Sequence, residues 1–184
     1  MQTKTAKIAA ISGSLRTGSW ARALVRAAAK RLPAGVDLTI WDGLEGIPPF
    51  NQDREDDPVH PAVAEMRELI AGCDVLLIVT PEYNHSMPGV LKNALDWASR
   101  PYGSCVLQGK PVAAVGTSPL PTGGASALSD LTRLLTAIRA ELIETDLTVP
   151  LVHTRIDSKD QFCDAELAGR VDQLLAKVAD RAVA

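Results

Sequence analysis

Two hydrophobic patterns alternate along the chain. Short apolar runs of strand length are each followed by a longer segment in which apolar residues recur three or four positions apart. The apolar runs predict strands at residues 8–12, 36–41, 74–80, 111–116 and 143–150. The helical spacing predicts helices at residues 19–31, 61–71, 89–99, 125–140 and 164–182. The uninterrupted run in the third strand is typical of a parallel strand that is covered on both faces.

This alternation predicts an α/β fold with one domain over residues 1–184. Right-handed crossovers turn such a chain into a three-layer, doubly wound, five-stranded parallel sheet, whose usual strand order is 2-1-3-4-5. In that order the loops after strands one, three and four lie side by side at the carboxyl edge, where such sheets bind ligands. These loops are residues 13–18, 81–88 and 117–124.

The first of these loops carries residues that suit an anion site. Gly13 and Gly18 allow the backbone to approach a ligand. Ser14, Thr17 and Ser19 provide hydroxyls. Arg16 provides a planar cation for phosphate oxygens, and the helix that follows adds free amides at its first turn. An ordinary helix start is the other interpretation, with Ser19 as the N-cap and Arg16 as a solvated charge. The loop alone leaves both open.

The second loop, Pro-Glu-Tyr-Asn-His-Ser-Met-Pro-Gly from residue 81 to 89, is unusual for a simple connection. Its two prolines restrict the backbone and hold an aromatic ring and several polar groups at the mouth of the crevice. Backbone amides there suit the polar edge of a flat ligand ring, with Tyr83 packed near it. A rigid turn in which Tyr83 covers a helix end is the alternative.

Composition narrows the class of protein. The chain has 184 residues, 46% of them hydrophobic, which is enough to form one core without metals or disulfides. A formal net charge of −3 gives no sign of a nucleic-acid surface. Three widely separated cysteines indicate neither a disulfide framework nor a zinc site. Residues 2–7 are polar and the next apolar run is too short to span a bilayer, so we expect a cytoplasmic protein without a membrane partner.

Two motifs together resemble one known family. They are the Gly-Ser-Leu-Arg run at 13–16 with Ser19, and Pro-Glu-Tyr-Asn at 81–84 followed by Pro-Gly-Val-Leu-Lys-Asn-Ala-Leu-Asp-Trp at 88–97. This combination is similar to the NAD(P)H-dependent FMN reductases, whose members include quinone, chromate and azo-dye reductases. The resemblance extends from residue 7 to about residue 140.

The resemblance implies a flavodoxin-like fold with non-covalently bound FMN. The residues it implies for the FMN phosphate are Ser14, Arg16 and Ser19, with Trp20 nearby. Those implied along the isoalloxazine ring, chiefly through backbone contacts, are Pro81, Glu82, Tyr83 and Asn84. Thr117 and Ser118 would complete the pocket near the ribityl chain or the ring.

The same resemblance implies an activity. Hydride would pass from NADPH or NADH through FMN to a quinone, free flavin or another small oxidant, and no catalytic side chain is required because the flavin performs the chemistry. His85 has a suitable ordinary pKa for protonating a reduced quinone, but a loop residue that faces solvent is the simpler interpretation. Members are commonly homodimers or homotetramers, in which helix three and the loop near Phe50 and Asn51 approach the partner's flavin site.

The third loop departs from the family pattern. Gly123 and Gly124 are present, but Ser126 and Leu128 stand where relatives tend to carry an arginine and a glutamine. Nicotinamide binding, the second substrate and the assembly state are therefore left open by the sequence.

The alternative function is a flavodoxin-type FMN electron carrier without turnover of its own. Arg16 and the modest net charge favour the reductase, since such carriers usually hold phosphate without an arginine and are often markedly acidic. A phospho-receiver domain lacks support because Ser-Gly and Thr-Pro stand at 12–13 and 80–81, where that chemistry needs acidic residues. A nicotinamide-binding Rossmann domain lacks its G-x-G-x-x-G motif after strand one.

Overall fold

A parallel β-sheet forms the centre of the molecule in the computed structural model, which describes residues 5–55, 59–143 and 146–183. The strands are β1 (Ala6–Ser12), β2 (Val36–Trp41), β3 (Val75–Pro81), β4 (Pro111–Thr117), β5 (Glu141–Leu142) and β6 (Thr148–Val149). The α-helices are α1 (Trp20–Ala29), α2 (Pro61–Gly72), α3 (Gly89–Ala98), α4 (Ala125–Ala137), α5 (Val152–Arg155) and α6 (Ala165–Val183).

The strand order is β2-β1-β3-β4-β5, with β6 also paired to β4, and every pairing is parallel. The predicted order and the doubly wound, flavodoxin-like fold class are therefore confirmed. Strands β1, β3, β4 and β6 end at the same edge of the sheet, because Ser12 pairs with Val79, Pro81 with Thr117, and Thr117 with Val149. This register brings the predicted loops together.

The prediction of one continuous fifth strand at 143–150 is wrong. Two short strands, β5 and β6, pair with opposite ends of β4 instead, through Pro111 with Glu141 and through Thr117 with Val149. Polar residues at 144–146 separate the apolar positions on this edge of the sheet, and residues 144–145 lie outside the described part of the chain. The unpredicted one-turn helix α5 follows β6 directly.

Helix α4 ends at Ala137, three residues before its predicted end at 140. Arg139 adopts a left-handed backbone with φ of 63°, which ends the helix and turns the chain into β5. The apolar pattern continues past this point because the residues after the turn stay partly buried as the chain enters the strand.

Alternate residues of the strands enter two separate cores. Ile8 and Ala10 of β1 face α1 and α6, while Ala9 and Ile11 face α2, α3 and α4. In β3 all six residues from 75 to 80 are buried, as the uninterrupted apolar run predicts. Full burial contributes roughly 1.5–3 kcal/mol for each large aliphatic side chain. The two cores therefore fix the positions at which the loops leave the sheet.

The long connection after β2 is anchored to α3. Asn93 accepts a hydrogen bond from the Phe50 N–H at 2.7 Å and donates one to the Pro48 carbonyl at 2.9 Å. Trp97 donates to the same carbonyl at 2.9 Å, and its ring meets that of Phe50 edge-to-face at 5.0 Å. Residues 56–58 of this connection lie outside the described ranges.

The described ranges contain no helix that is both long and apolar enough to cross a membrane. Within them, no group of three or more His, Cys, Asp or Glu side chains could hold a metal ion.

Candidate functional site

A cleft of about 330 Å³ opens at the carboxyl edge of the sheet, between the loops after β1, β3 and β4. Of the residues predicted to contact the cofactor, it is lined by Ser14, Arg16, Ser19, Trp20, Pro81, Glu82, Tyr83, Thr117 and Ser118. Asn84 is the exception and lies outside the lining. Ala21, Pro119 and Val152 also line the cleft and were missed, Val152 because it belongs to the unpredicted α5.

The turn between β1 and α1 presents polar groups to the cleft. Ser14 and Ser19 are both buried, and Arg16 is exposed and makes no ion pair with any described residue. Ser19 is the N-cap of α1, because its side chain accepts a hydrogen bond from the Arg22 N–H at 3.4 Å. The first-turn amides of Trp20 and Ala21 have no acceptor within the helix. Capping and anion binding are therefore compatible here.

The two glycines of this turn differ in their surroundings. A Cβ on Gly13 would lie 2.9 Å from the Leu91 side chain, so the glycine allows the end of β1 to pack closely against α3. A Cβ on Gly18 would meet nothing within 4 Å, and its φ is not positive. Neither glycine is among the residues that line the cleft.

A tight turn shapes the second loop. Tyr83 and Ser86 exchange two backbone hydrogen bonds of 3.0 and 3.1 Å, and the two residues between them, Asn84 and His85, both have positive φ. Two-residue turns of this kind favour asparagine and glycine, whereas histidine is uncommon there. The Tyr83 hydroxyl lies 3.2 Å from Ser14 Oγ, which links the second loop to the first across the cleft.

Glu82 has a structural role that sequence reasoning missed. Its side chain is only 6% exposed, and its Oε2 accepts hydrogen bonds from the Ser126 and Ala127 N–H groups at 2.9 and 3.3 Å. The carboxylate therefore caps α4, whose N-cap residue, Gly124, has no side chain to do so. The partners are 44 and 45 residues apart in sequence, so no local pattern signals the contact.

A second hydrogen bond ties the same loop to α4. Ser86 donates to Asp130 Oδ2 at 2.7 Å, and Arg133 lies 3.1 Å from the other oxygen of that carboxylate. The Ser86 hydrogen bond, followed by that of Arg133, lowers the pKa of Asp130 below its ordinary value. His85 extends into solvent with 84% of its side chain exposed, and its Nδ1 is 3.8 Å from Glu82 Oε1.

The third loop contributes a buried hydroxyl that lacks a partner. Thr117 is 1% exposed, and its Oγ1 has no hydrogen-bond partner among the described residues. Ser118 is also buried, but its Oγ accepts from the Leu120 N–H at 3.1 Å. Gly124 packs flat on this strand end, since a Cβ there would lie 2.5 Å from the Thr117 nitrogen. Burying an unpaired hydroxyl is costly, so Thr117 is well suited to a bound polar ligand.

These residues fit FMN. Two buried hydroxyls, one guanidinium and the first turn of α1 line the cleft and match the chemistry of a phosphate dianion. Pro81, Tyr83 and Pro119 supply apolar surface for a flat ring, and Thr117 adds its hydroxyl to the same cleft. The volume lies at the lower end of the range for small-molecule sites, as suits a cleft that opens to solvent.

Comparison with known proteins decides the family. The sequence profile of the family described as NADPH-dependent FMN reductase matches residues 6–154. The chain belongs to this family. Among members and relatives, the 2-hydroxy-1,4-benzoquinone reductase of a Burkholderia species is 40% identical over 183 residues, which is 96% of this chain and 98% of the relative. An NAD(P)H-dependent FMN reductase of Pseudomonas aeruginosa is 37% identical over 92% of this chain and 91% of its own.

A solved structure of a similar protein supports the same assignment. The flavoenzyme FerB of Paracoccus denitrificans, an NAD(P)H:(acceptor) oxidoreductase, superposes with a TM-score of 0.82 at 28% identity. The match covers 96% of this chain and 97% of that one. The predicted family resemblance and the predicted fold are thus confirmed over nearly the whole chain.

Proposed function

We propose that this FMN reductase family member passes hydride from NADPH or NADH through bound FMN to a quinone, a free flavin or another small oxidant. The observation that carries the proposal is the β1–α1 turn beside the apolar cleft. There two buried serine hydroxyls, the first turn of α1 and Arg16, which makes no ion pair with any described residue, line the same cleft. The names of the 40% and 37% identical relatives support the reaction class.

In this proposal the FMN phosphate is held by Ser14, Arg16 and Ser19, with Trp20 beside it. Hydrogen bonds to a charged group contribute roughly 1.5–3 kcal/mol each, so three such partners and the helix amides would retain the cofactor without a covalent link. The Thr117 hydroxyl and the backbone at Ser118 would meet the ribityl chain or the ring.

The second loop would bind the ring chiefly through its backbone. The Glu82 and Ser86 side chains are already engaged with α4, and the Tyr83 hydroxyl lies within hydrogen-bonding distance of Ser14. Pro81 has no N–H and the Tyr83 N–H donates to Ser86, so the N–H groups of Glu82 and Asn84 are the backbone donors of this segment that remain for a flavin edge. When bound, FMN supplies the hydride chemistry, and the protein supplies position and electrostatics.

One open cleft would serve both substrates in turn. Reduced nicotinamide would bind over the ring, leave, and be replaced by the acceptor, which is a ping-pong cycle. No side chain of the cleft has to act as an acid or base for hydride transfer, which agrees with the absence of a catalytic triad among the described residues that line it.

We also propose that the protein works as a homodimer or homotetramer in the cytoplasm. The segment that carries Phe50 and Asn51 is pinned to α3 in a fixed conformation with Asn51 exposed, as a preformed contact surface requires. The cytoplasmic location is supported by the three free cysteines, which suit a reducing compartment. Sedimentation analysis of the wild type and an Asn51→Asp variant tests the assembly, and we expect the variant to dissociate more readily.

Anaerobic reduction tests the function. The purified holoprotein should be yellow and should lose its visible flavin absorbance when NADPH or NADH is added without any partner protein, and a quinone should restore it. An FMN electron carrier would keep its colour until a separate reductase was supplied. A colourless protein that does not take up added FMN would contradict the proposal at its first step.

A further inference from the structure

Four exposed hydrophobic residues belong to the cleft lining or are next to it in sequence. They are Leu15, Tyr83, Leu120 and Leu151, with 44%, 42%, 60% and 43% of their surface exposed. Tyr83 lines the cleft itself, and each leucine adjoins a lining residue in sequence, at Ser14, Pro119 and Val152 respectively. We refer to these four residues as the apolar rim. They come from four different loops that meet at one edge of the sheet.

Backbone hydrogen bonds bring Leu120 and Leu151 of this rim together. The Leu151 N–H donates a hydrogen bond to the Leu120 carbonyl at 3.3 Å, and the Val152 N–H donates to the Ser118 carbonyl at 3.2 Å. These two bonds fasten the start of α5 to the loop after β4. The two leucines are therefore neighbours in space although 31 positions separate them in sequence.

The backbone of Leu151 is unfavourable for leucine. Its φ of 49° lies in the left-handed region, which glycine and asparagine adopt far more readily. A half-exposed leucine at this position destabilises the folded state in two ways, because its backbone is strained and its apolar surface is exposed to water. Strained residues of this kind concentrate at ligand sites.

Charge does not explain the rim. Arg16 and Glu82 are the charged residues that line the cleft within the described part of the chain, and Glu82 is buried against α4. Exposed apolar side chains beside a cleft are typical of a site that a ligand covers. Apolar substituents on the part of a ligand that projects from the cleft would cover these side chains.

We propose that the apolar rim, through Leu120 and Leu151, binds the alkyl substituent of the electron acceptor, so that the enzyme's substrates are alkyl-substituted quinones. This inference rests on the proposed function, because the quinone ring has to occupy the cleft. The quinone receives two electrons and one proton as hydride that originates from NAD(P)H, and a second proton from water, to give the hydroquinone and NAD(P)⁺. The rim contributes binding only.

The test compares the wild-type holoenzyme with a double variant that carries Leu120→Asn and Leu151→Asn. Both substitutions replace an exposed leucine with a polar residue, and asparagine tolerates the left-handed backbone at position 151. Val183→Asn is the control, since Val183 is an exposed aliphatic residue in the last turn of α6, away from the cleft. After reduction by NADPH, reoxidation is followed with 1,4-benzoquinone, a decyl-substituted 1,4-benzoquinone and ferricyanide.

In the double variant we expect kcat/KM for the decyl-substituted quinone to fall about tenfold, as the loss of one or two methylene contacts would give. The values for 1,4-benzoquinone and ferricyanide should change less than twofold. Each acceptor is compared with itself in the wild type and the variant, so differences in reduction potential between the acceptors do not affect the result. A second measurement is the Kd of the decyl-substituted hydroquinone for the oxidised holoenzyme, read from the flavin spectrum, which should weaken by the same factor.

Three results would overturn the inference. They are equal effects on both quinones, no effect on the decyl-substituted one, or dissociation of an oligomer by the variants, which would mean that a second copy of the chain covers the rim. Failure of NADPH to reduce the flavin is a different result and counts against the proposed function. Dithionite then reduces the flavin instead, and the quinone comparison proceeds unchanged.

Discussion

The loops on the two sides of the cleft use their side chains in opposite ways. In the β1–α1 turn, Arg16 makes no ion pair within the described residues and the serine hydroxyls lie at the cleft wall. In the loop after β3, Glu82 and Ser86 are tied to α4 by hydrogen bonds. The residues of a binding motif can therefore act in two ways. Their side chains can face the cleft, as in the β1–α1 turn, or they can hold a segment of backbone in place, as in the loop after β3.

Because of this difference, we expect substitutions in the two loops to have different effects on FMN binding and on stability. Substitution of Arg16 in the β1–α1 turn should weaken FMN binding and leave the fold stable. Substitutions in the loop after β3 should first destabilise the fold, and affect the cofactor through the position of the backbone.

Arg16→Ala should give the largest effect on binding. Loss of a charged hydrogen-bond partner for the phosphate should raise the Kd for FMN about 10- to 100-fold, since it removes roughly 1.5–3 kcal/mol, and should leave the Tm of the apoprotein unchanged. Flavin fluorescence titration and circular dichroism measure the two quantities. Arg133→Ala is the matched control, because Arg133 is an exposed arginine on α4. An unaltered Kd in Arg16→Ala would contradict the phosphate assignment.

Glu82→Ala should show the reverse pattern. The change leaves the Ser126 and Ala127 amides without their acceptor, which should lower the free energy of unfolding by about 1–3 kcal/mol. Glu82→Gln, which keeps an oxygen acceptor but not the charge, should lose less. Urea denaturation of the apoprotein measures both. If neither variant is less stable, the carboxylate does not serve as the cap of α4.

Asp130 adds a smaller, pH-dependent contribution. Because hydrogen bonds from Ser86 and Arg133 lower its pKa in the folded state, the stabilisation is present above the unfolded-state pKa of about 4 and is lost as the pH falls through the lower folded value. Asp130→Asn should therefore lower the Tm at pH 7 and have less effect near pH 3. Thermal denaturation at the two pH values checks this, and an equal difference at both would refute it.

His85→Ala should have the smallest effect. The imidazole is 84% exposed and lies outside the cleft lining, so quinone turnover should change by less than about twofold. Stopped-flow measurement of each half-reaction gives the answer. A large loss confined to the acceptor half-reaction would show that His85 delivers the proton to the reduced quinone.

Sequence reasoning predicted the parts of the fold that depend on strong local patterns. Strand β2 has both of its predicted bounds, and β1, β3 and β4 follow from apolar runs that the sheet buries. The last strand was predicted as one piece because its apolar positions continue on both sides of polar residues at 144–146. Only the pairing with β4, which is a contact distant in sequence, decides that the edge is divided.

The candidate site was predictable where the motif itself forms it. The cleft gathers the serines and Arg16 of the first loop, Pro81 to Tyr83 of the second, and Thr117 of the third. Contacts between distant segments were not predictable, and these include the cap that Glu82 provides for α4 and the pairing of Leu120 with Leu151. Local sequence carries no sign of them, because both arise from the packing of separate loops at one sheet edge.

The most direct test of the central claim is a titration of the apoprotein with FMN and with riboflavin, which differ only in the phosphate. If the β1–α1 turn is a phosphate site, FMN should bind at least about 100-fold more tightly than riboflavin, and Arg16→Ala should remove most of that difference. Equal affinity of the wild-type protein for the two flavins would contradict the account.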